Sequence, residues 1–264
     1  MKELFLTAAK GAVIGGTMLI PGVSGGSMAM MMGIYDKLIM AVSNFRKDMK
    51  KHFFFLLWFC IGAGLGMLII ARPLLHLLEV FPYPTQFFFI GAVVGCVPMI
   101  YRKAQISGFS WHIPVYIAIG IGAVFLVSLA SAGPHGGAGQ SVQPLYLVVA
   151  GIVAAAALVL PGISVSYLLL MFNLYDSTMQ AISGLQITFL LPLLIGLCIG
   201  IVVTTKLLDQ LMHRHPRATY LIILGFMLAS VLEVFPGVPP VSQWLVCVLA
   251  LLAGFFVIYL ISRE

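Results

Sequence analysis

The sequence predicts an all-α integral membrane protein: an inverted repeat of six transmembrane helices and two re-entrant helical hairpins, forming one structural domain. Three observations carry that expectation. Hydrophobic residues make up 61% of the chain and charged residues 8%, with a mean hydropathy of +1.11, whereas soluble domains carry about 25% charged residues. The two halves of the chain align with each other. Of the 14 Lys and Arg residues, 13 cluster in five places that give the two halves opposite orientations.

The first element is a hairpin over 4–36. This apolar region is too long for one span, and it is interrupted at "PGVSGGS", residues 21–27. Pro21 breaks a helix, and Gly22, Gly25 and Gly26 weaken one. A backbone opened in hydrocarbon leaves N–H and C=O groups that lipid cannot satisfy, so protein, water or a ligand must meet them. Apolar runs follow at about 53–71, 86–101 and 112–132, each near the length that crosses about 30 Å of hydrocarbon. The stretch "SAGPHGGAGQSVQ" then ends at Gln143. Uncharged and rich in Gly, it reads as a flexible linker over 133–143 between a first repeat, 1–132, and a second, 144–264. A second broken hairpin over 145–176 and runs at 188–205, 218–235 and 241–261 complete the chain.

The repeat is legible residue by residue. "PGVSGGSMAMMMGIYD" from Pro21 aligns with "PGISVSYLLLMFNLYD" from Pro161 at a constant offset of 140. From Ile61 the offset becomes 134, and Gly62, Gly66, Leu74, Leu77, Pro82 and Thr85 all find identical mates, while Arg72 faces Lys206. Apolar segments resemble one another by chance, but chance rarely keeps Pro, Gly and Thr in register.

Charge sets the orientation. Lys2 and Lys10, Lys37 to Lys51, Arg102 with Lys103, Lys206 to Arg217, and Arg263 fall on the cytoplasmic side by the positive-inside rule. Loops 133–143, 176–187 and 233–242 carry no Lys or Arg and belong outside. Loop 37–52 is then inside while its mate 177–187 is outside, and loop 72–85 is outside while 206–217 is inside. Segment 4–36 therefore enters and leaves on the inner face, segment 145–176 on the outer face, and both termini are cytoplasmic. No small-residue cleavage site follows the first apolar run, so a cleaved signal peptide is not expected.

The broken tips are the candidate site. Helices that restart in the membrane after a Gly-rich turn present free N–H groups, an arrangement suited to an anion. Midplane breaks in inverted repeats are also how secondary transporters bind substrate. The expected phosphate-binding residues are Gly22, Ser24, Gly25, Gly26 and Ser27 in the first tip, with Gly162, Ser164 and Ser166 in the second. The competing reading is close helix packing through Gly and Ser. Arg72 and Lys206 either snorkel to headgroups or form an accessory pair, one near each surface. Tyr35–Asp36 and Tyr175–Asp176 read first as interfacial anchors, and Glu79 and Glu233 either carry protons or meet headgroups. Cys60, Cys96, Cys198 and Cys247 lack C-x-x-C spacing, and the six histidines lack H-x-x-x-H spacing. No metal site and no cofactor are expected.

With P-G-V-S-G-G-S at 21–27, P-G-I-S at 161–164 and the two Tyr-Asp pairs, the sequence resembles the bacterial polyprenyl-phosphate translocase family, PopT type, over essentially its whole length. That resemblance implies a flippase, not an enzyme, in the bacterial plasma (inner) membrane. It would move undecaprenyl phosphate from the outer to the inner leaflet so that the lipid carrier of cell-wall synthesis is reused. The implied partners are undecaprenyl phosphate and membrane lipids, with a homodimer as the assembly considered and no nucleic acid. One alternative is a transporter or channel for a small anion. Another is an undecaprenyl pyrophosphate phosphatase, whose P-G-x-S-R-S motif looks like Pro161 to Ser166. Here Val165 stands at the Arg position, and neither hairpin offers a Glu as base or metal ligand.

Overall fold

A computed structural model describes residues 2–18, 23–106, 111–131 and 143–262. No strand occurs among the described residues. The helices of the first half are α1 (Lys2–Thr17), α2 (Gly25–Met31), α3 (Tyr35–Ser43), α4 (Met49–Ile69), α5 (Ala71–Val80), α6 (Pro82–Lys103) and α7 (His112–Ser131). Those of the second are α8 (Pro144–Val159), α9 (Val165–Met171), α10 (Tyr175–Ser183), α11 (Ile187–Arg214), α12 (Pro216–Val234) and α13 (Trp244–Ile261), the last entered through a short 3-10 turn. The expected linker 133–143 lies outside the described residues except for Gln143.

Among the described residues, five segments are long and apolar enough to cross a membrane: Met49–Ile69, Pro82–Lys103, His112–Leu129, Ile187–Arg214 and Val241–Ile261. The expected sixth span falls on α12, whose apolar stretch Pro216–Leu232 is shorter. Leu65, Leu68, Leu245 and Leu249 stand exposed on the outer surfaces of α4 and α13. An apolar surface of that kind needs lipid around it. The chain is a multi-pass membrane protein.

Several stretches read as loops are helical. The first half breaks at Ile70 and continues as α5, while α11 runs unbroken for 28 residues. One residue accounts for the difference. Pro73 has no N–H to continue the ladder and sits in the first turn of α5, whereas Leu207 occupies the corresponding place in α11. The next corner is the same in both halves. Phe81 (φ −128°, ψ 63°) and His215 (φ −132°, ψ 58°) each precede a proline that opens a helix. Thr85 Oγ1 donates to the Leu77 and Phe81 carbonyls at 3.3 and 2.7 Å. Thr219 Oγ1 donates to the Leu211 and His215 carbonyls at 3.0 and 2.9 Å. The Pro-x-x-Thr register is thus a corner that ties the end of one helix to the start of the next.

Four helix pairs make the frame, each seated on glycines. α1 lies along α4, where a Cβ on Gly62 would fall 2.0 Å from the Ala8 carbonyl oxygen and one on Gly15 2.1 Å from that of Ala63. α8 lies along α11, where Gly196 meets the Val148 carbonyl in the same way at 2.1 Å. α6 packs on α13 through Gly91 and Gly254, and α7 on α12 through Gly120 and Gly225. Between helices in lipid, close backbone approach through small residues supplies the packing energy that water-driven burial does not. At the centre sits α2, with Met30 and Met31 almost wholly buried alongside Ile100 of α6 and Leu221, Ile223 and Met227 of α12. A two-turn helix in the membrane is tolerated because protein, not lipid, surrounds it.

Candidate functional site

Where both breaks are described, from Ser24 and Ser164 onward, they share local signals. Leu160 is extended (φ −76°, ψ 129°) because the residue before a proline is driven out of the helical region, so α8 ends at Val159. Ser24 (φ −84°, ψ 145°) and Ser164 (φ −87°, ψ 130°) are the extended residues from which α2 and α9 start. Seven residues later both helices stop in a Schellman turn. Gly33 (φ 64°) and Asn173 (φ 55°) take the left-handed position. Ile34 N–H then reaches back to the Ala29 carbonyl at 3.0 Å and Leu174 N–H to that of Leu169 at 2.8 Å.

The two breaks touch, and Ser24 is where they do. Its Oγ accepts from Ser27 N–H at 3.1 Å and from Gly162 N–H at 2.8 Å, and donates to Ser27 Oγ at 2.8 Å. One hydroxyl, with one proton and two lone pairs, is fully used. Gly26 lies against the other break: a Cβ there would be 3.1 Å from Pro161 Cα and 3.2 Å from the Val159 carbonyl oxygen. Gly162 takes φ +80°, and a Cβ on it would fall 2.1 Å from the Phe226 carbonyl oxygen of α12. Ser27 is buried, and Tyr35 Oη donates to the Val159 carbonyl at 2.9 Å, bracing α3 against the end of α8.

The expected site residues divide accordingly. Ser24, Gly26, Ser27 and Gly162 come together at the crossing. Gly25 opens α2 and faces the Met18 side chain. Ser164 starts α9 half-buried, and its side chain makes no capping bond. Ser166 lies within α9 with its side chain outside the described set, and Gly22 lies outside the described residues altogether. Arg72, on α5, and Lys206, on α11, are exposed and make no ion pair or hydrogen bond among the described residues. At seven residues each, α2 and α9 have little dipole to offer an anion, so the donors themselves matter.

Sequence reading missed the polar contacts at one end of the bundle. Lys103 Nζ, the last residue of α6, pairs with Asp36 Oδ2 of α3 and lies 5.8 Å from the centroid of the Tyr220 ring on α12. Asp209 Oδ2 of α11 accepts from Ser43 Oγ at 2.9 Å and Asn44 Nδ2 at 3.0 Å. Arg102 Nη2 donates to the Ser262 carbonyl at 3.0 Å. The Tyr-Asp repeat was a visible signal, but its partners lie more than sixty residues away in the chain and no local pattern points to them. No group of three or more potential metal ligands occurs among the described residues.

A family model described as undecaprenyl phosphate translocase-like matches residues 14–247. A protein of Staphylococcus aureus named polyprenyl-phosphate transporter is 31% identical over 267 residues, covering 96% of this chain and 94% of its own. A Vibrio cholerae protein of the same name is 27% identical over 249 residues, covering 87% of this chain and 77% of its own. No solved structure matches the chain.

Proposed function

Because the chain belongs to the undecaprenyl phosphate translocase-like family, we propose that it carries undecaprenyl phosphate from the outer to the inner leaflet of the bacterial plasma membrane. Both named relatives are transporters of polyprenyl phosphate, which supports transport over phosphate-ester chemistry. The observation that carries the mechanism is the hydrogen bond from Gly162 N–H to Ser24 Oγ at 2.8 Å. It joins the two breaks at one point and gathers the donors a phosphate needs. An unmet phosphate charge in hydrocarbon costs many kcal/mol, so the headgroup must find donors along its whole route. In this reading the Ser24 hydroxyl holds the place of a phosphate oxygen, accepting from Ser27 N–H and Gly162 N–H. The arriving headgroup takes over those donors, with Gly25, Gly26 and Ser164 beside its approach, while Gly22 and Ser166 are proposed as phosphate-binding from the sequence motif alone. Arg72 and Lys206 attract it from either side, while the isoprenoid tail stays in lipid.

We read the two halves as inverted copies, each with its hairpin re-entering from its own face, an arrangement in which rocking about a central site gives alternating access. Three features support that. The corners at Pro82 and Pro216 are alike, the turns at Gly33 and Asn173 are alike, and the helix pairings exchange: α1 with α4 answers α8 with α11, while α6 with α13 answers α12 with α7. Residues assigned to the cytoplasm by charge also meet one another, as in Asp36–Lys103, Asn44–Asp209 and Arg102–Ser262. Cysteines placed at Ser43 and Ser183 in a Cys-free background should label from opposite sides, Ser43 only from the cytoplasm. Labelling of both from one side would end the inverted arrangement.

The transport reading is tested in proteoliposomes. Labelled undecaprenyl phosphate should change leaflets in a protein-dependent way, while trapped inorganic phosphate should not leave. Efflux of inorganic phosphate without lipid movement would make the protein a small-anion carrier instead.

A further inference from the structure

Among the described residues, the Asp36–Lys103 pair has no counterpart at the equivalent place in the second half. At the offset of 140, Asp36 corresponds to Asp176, which is exposed and has no ion-pair partner among the described residues. At the offset of 134, Lys103 corresponds to Gly237. Among the described residues, a cation–carboxylate pair thus stands at this place in the first half and not at the corresponding place in the second. Its side is the one that charge assigns to the cytoplasm, where the lipid is delivered.

The pair is also continuous with the crossing. The Val159 carbonyl faces Gly26 on one side and accepts from Tyr35 Oη on the other, and Asp36 is the next residue. The ammonium is held by three elements from both halves: Asp36 on α3, its own α6, and the Tyr220 ring on α12. The ring steadies the cation without using any of its three N–H donors. Asp36 holds it through one oxygen only, since Oδ1 is buried and without a hydrogen bond. The Lys103 and Asp36 side chains are 25% and 32% exposed, and an ion pair open to solvent is weakly held. A phosphate, with more oxygens and up to twice the charge, displaces it while the ammonium stays paired throughout.

Resting on the function proposed above, we infer that Lys103 is a phosphate-binding residue at the delivery end of the route. Asp36 is the internal anion that occupies it between cargoes. The ligand class is a polyprenyl monophosphate headgroup, received from the Ser24–Gly162 crossing and released when Asp36 returns.

The test is the affinity of purified full-length protein for undecaprenyl phosphate, with undecaprenol as the tail-only control. Wild type should prefer the phosphate lipid. Lys103→Gln should reduce that preference about tenfold or more, the usual scale for a charged hydrogen bond. Asp36→Asn should increase affinity several-fold by freeing the ammonium, and should slow release in transport. The double variant Asp36→Asn, Lys103→Gln removes both charges, so its unfolding temperature should recover while its phosphate preference stays lost. Wild-type preference in Lys103→Gln or in the double variant would reduce the pair to a strut and overturn the inference. If wild type itself does not distinguish the two lipids, the proposed function fails and the inference falls with it.

Discussion

A Gly162→Ala variant is expected to lose transport, with activity at least a hundredfold below wild type in the proteoliposome assay. Two independent effects add at this position. The backbone sits at φ +80°, where a Cβ is disfavoured by roughly 1–2 kcal/mol. The Cβ would also stand 2.1 Å from the Phe226 carbonyl oxygen and 2.5 Å from its carbon. Those are backbone atoms in the middle of α12, so the break must move rather than the neighbour. Any such shift draws Gly162 N–H away from Ser24 Oγ and opens the crossing. Together they amount to about 3 kcal/mol or more, and each 1.4 kcal/mol is tenfold in rate. Gly64→Ala, on α4, is the control, because a Cβ there meets nothing within 4 Å. It should insert, fold and transport nearly as wild type. If Gly162→Ala transports normally with unchanged thermal stability, the second break is not part of the route.

That position shows what the sequence could and could not disclose. Pro161 and Gly162 announce a break, because a proline and a glycine together in an apolar run have few other uses. The repeat makes the same point twice, and the frame of long apolar helices follows from composition and length. What the breaks touch is not local information. The bond between Ser24 and Gly162 spans 138 residues, and that between Tyr35 and Val159 spans 124. Nothing in a single sequence fixes such a pairing, although the repeated offset says that two breaks of like construction exist. The reading of loops failed for a simpler reason. Charge at the end of an apolar run reads as loop, yet Lys206, Asp209 and Arg214 ride on the last turns of α11, where helix continues past the apolar stretch. Asp36 likewise reads as part of an interfacial anchor and Lys103 as a cytoplasmic charge, since a lone charge near a span end is ordinarily solvated and only three-dimensional proximity marks it otherwise.

Replacing Ser24 and Ser164 separately should give unequal results, although the two residues occupy the same place in the repeat. Ser24 Oγ takes part in three hydrogen bonds that hold Ser27 and Gly162 to one point, while Ser164 makes no side-chain capping bond. Ser24→Ala leaves two backbone N–H groups and the Ser27 hydroxyl without that partner, at Ser27 and Gly162, which are both buried. An unmet buried donor costs about 1–3 kcal/mol. The arrangement in which Ser24 holds the two tips together is the one that suffers, because a phosphate can satisfy the same donors. Transport should therefore fall roughly 10- to 100-fold, the equivalent of about 1.4–2.8 kcal/mol. Affinity for undecaprenyl phosphate should be retained or increased, since the internal competitor has gone. Ser164→Ala should lower affinity by no more than a few-fold and leave the unfolding temperature where it was. Measuring initial transport rate and lipid affinity on the two single variants and on the double separates the roles. Equal losses in the two single variants would mean that Ser24 is one donor among several rather than the crossing point. Wild-type transport by the double variant would place the phosphate route away from both tips, and the breaks would then serve close packing alone.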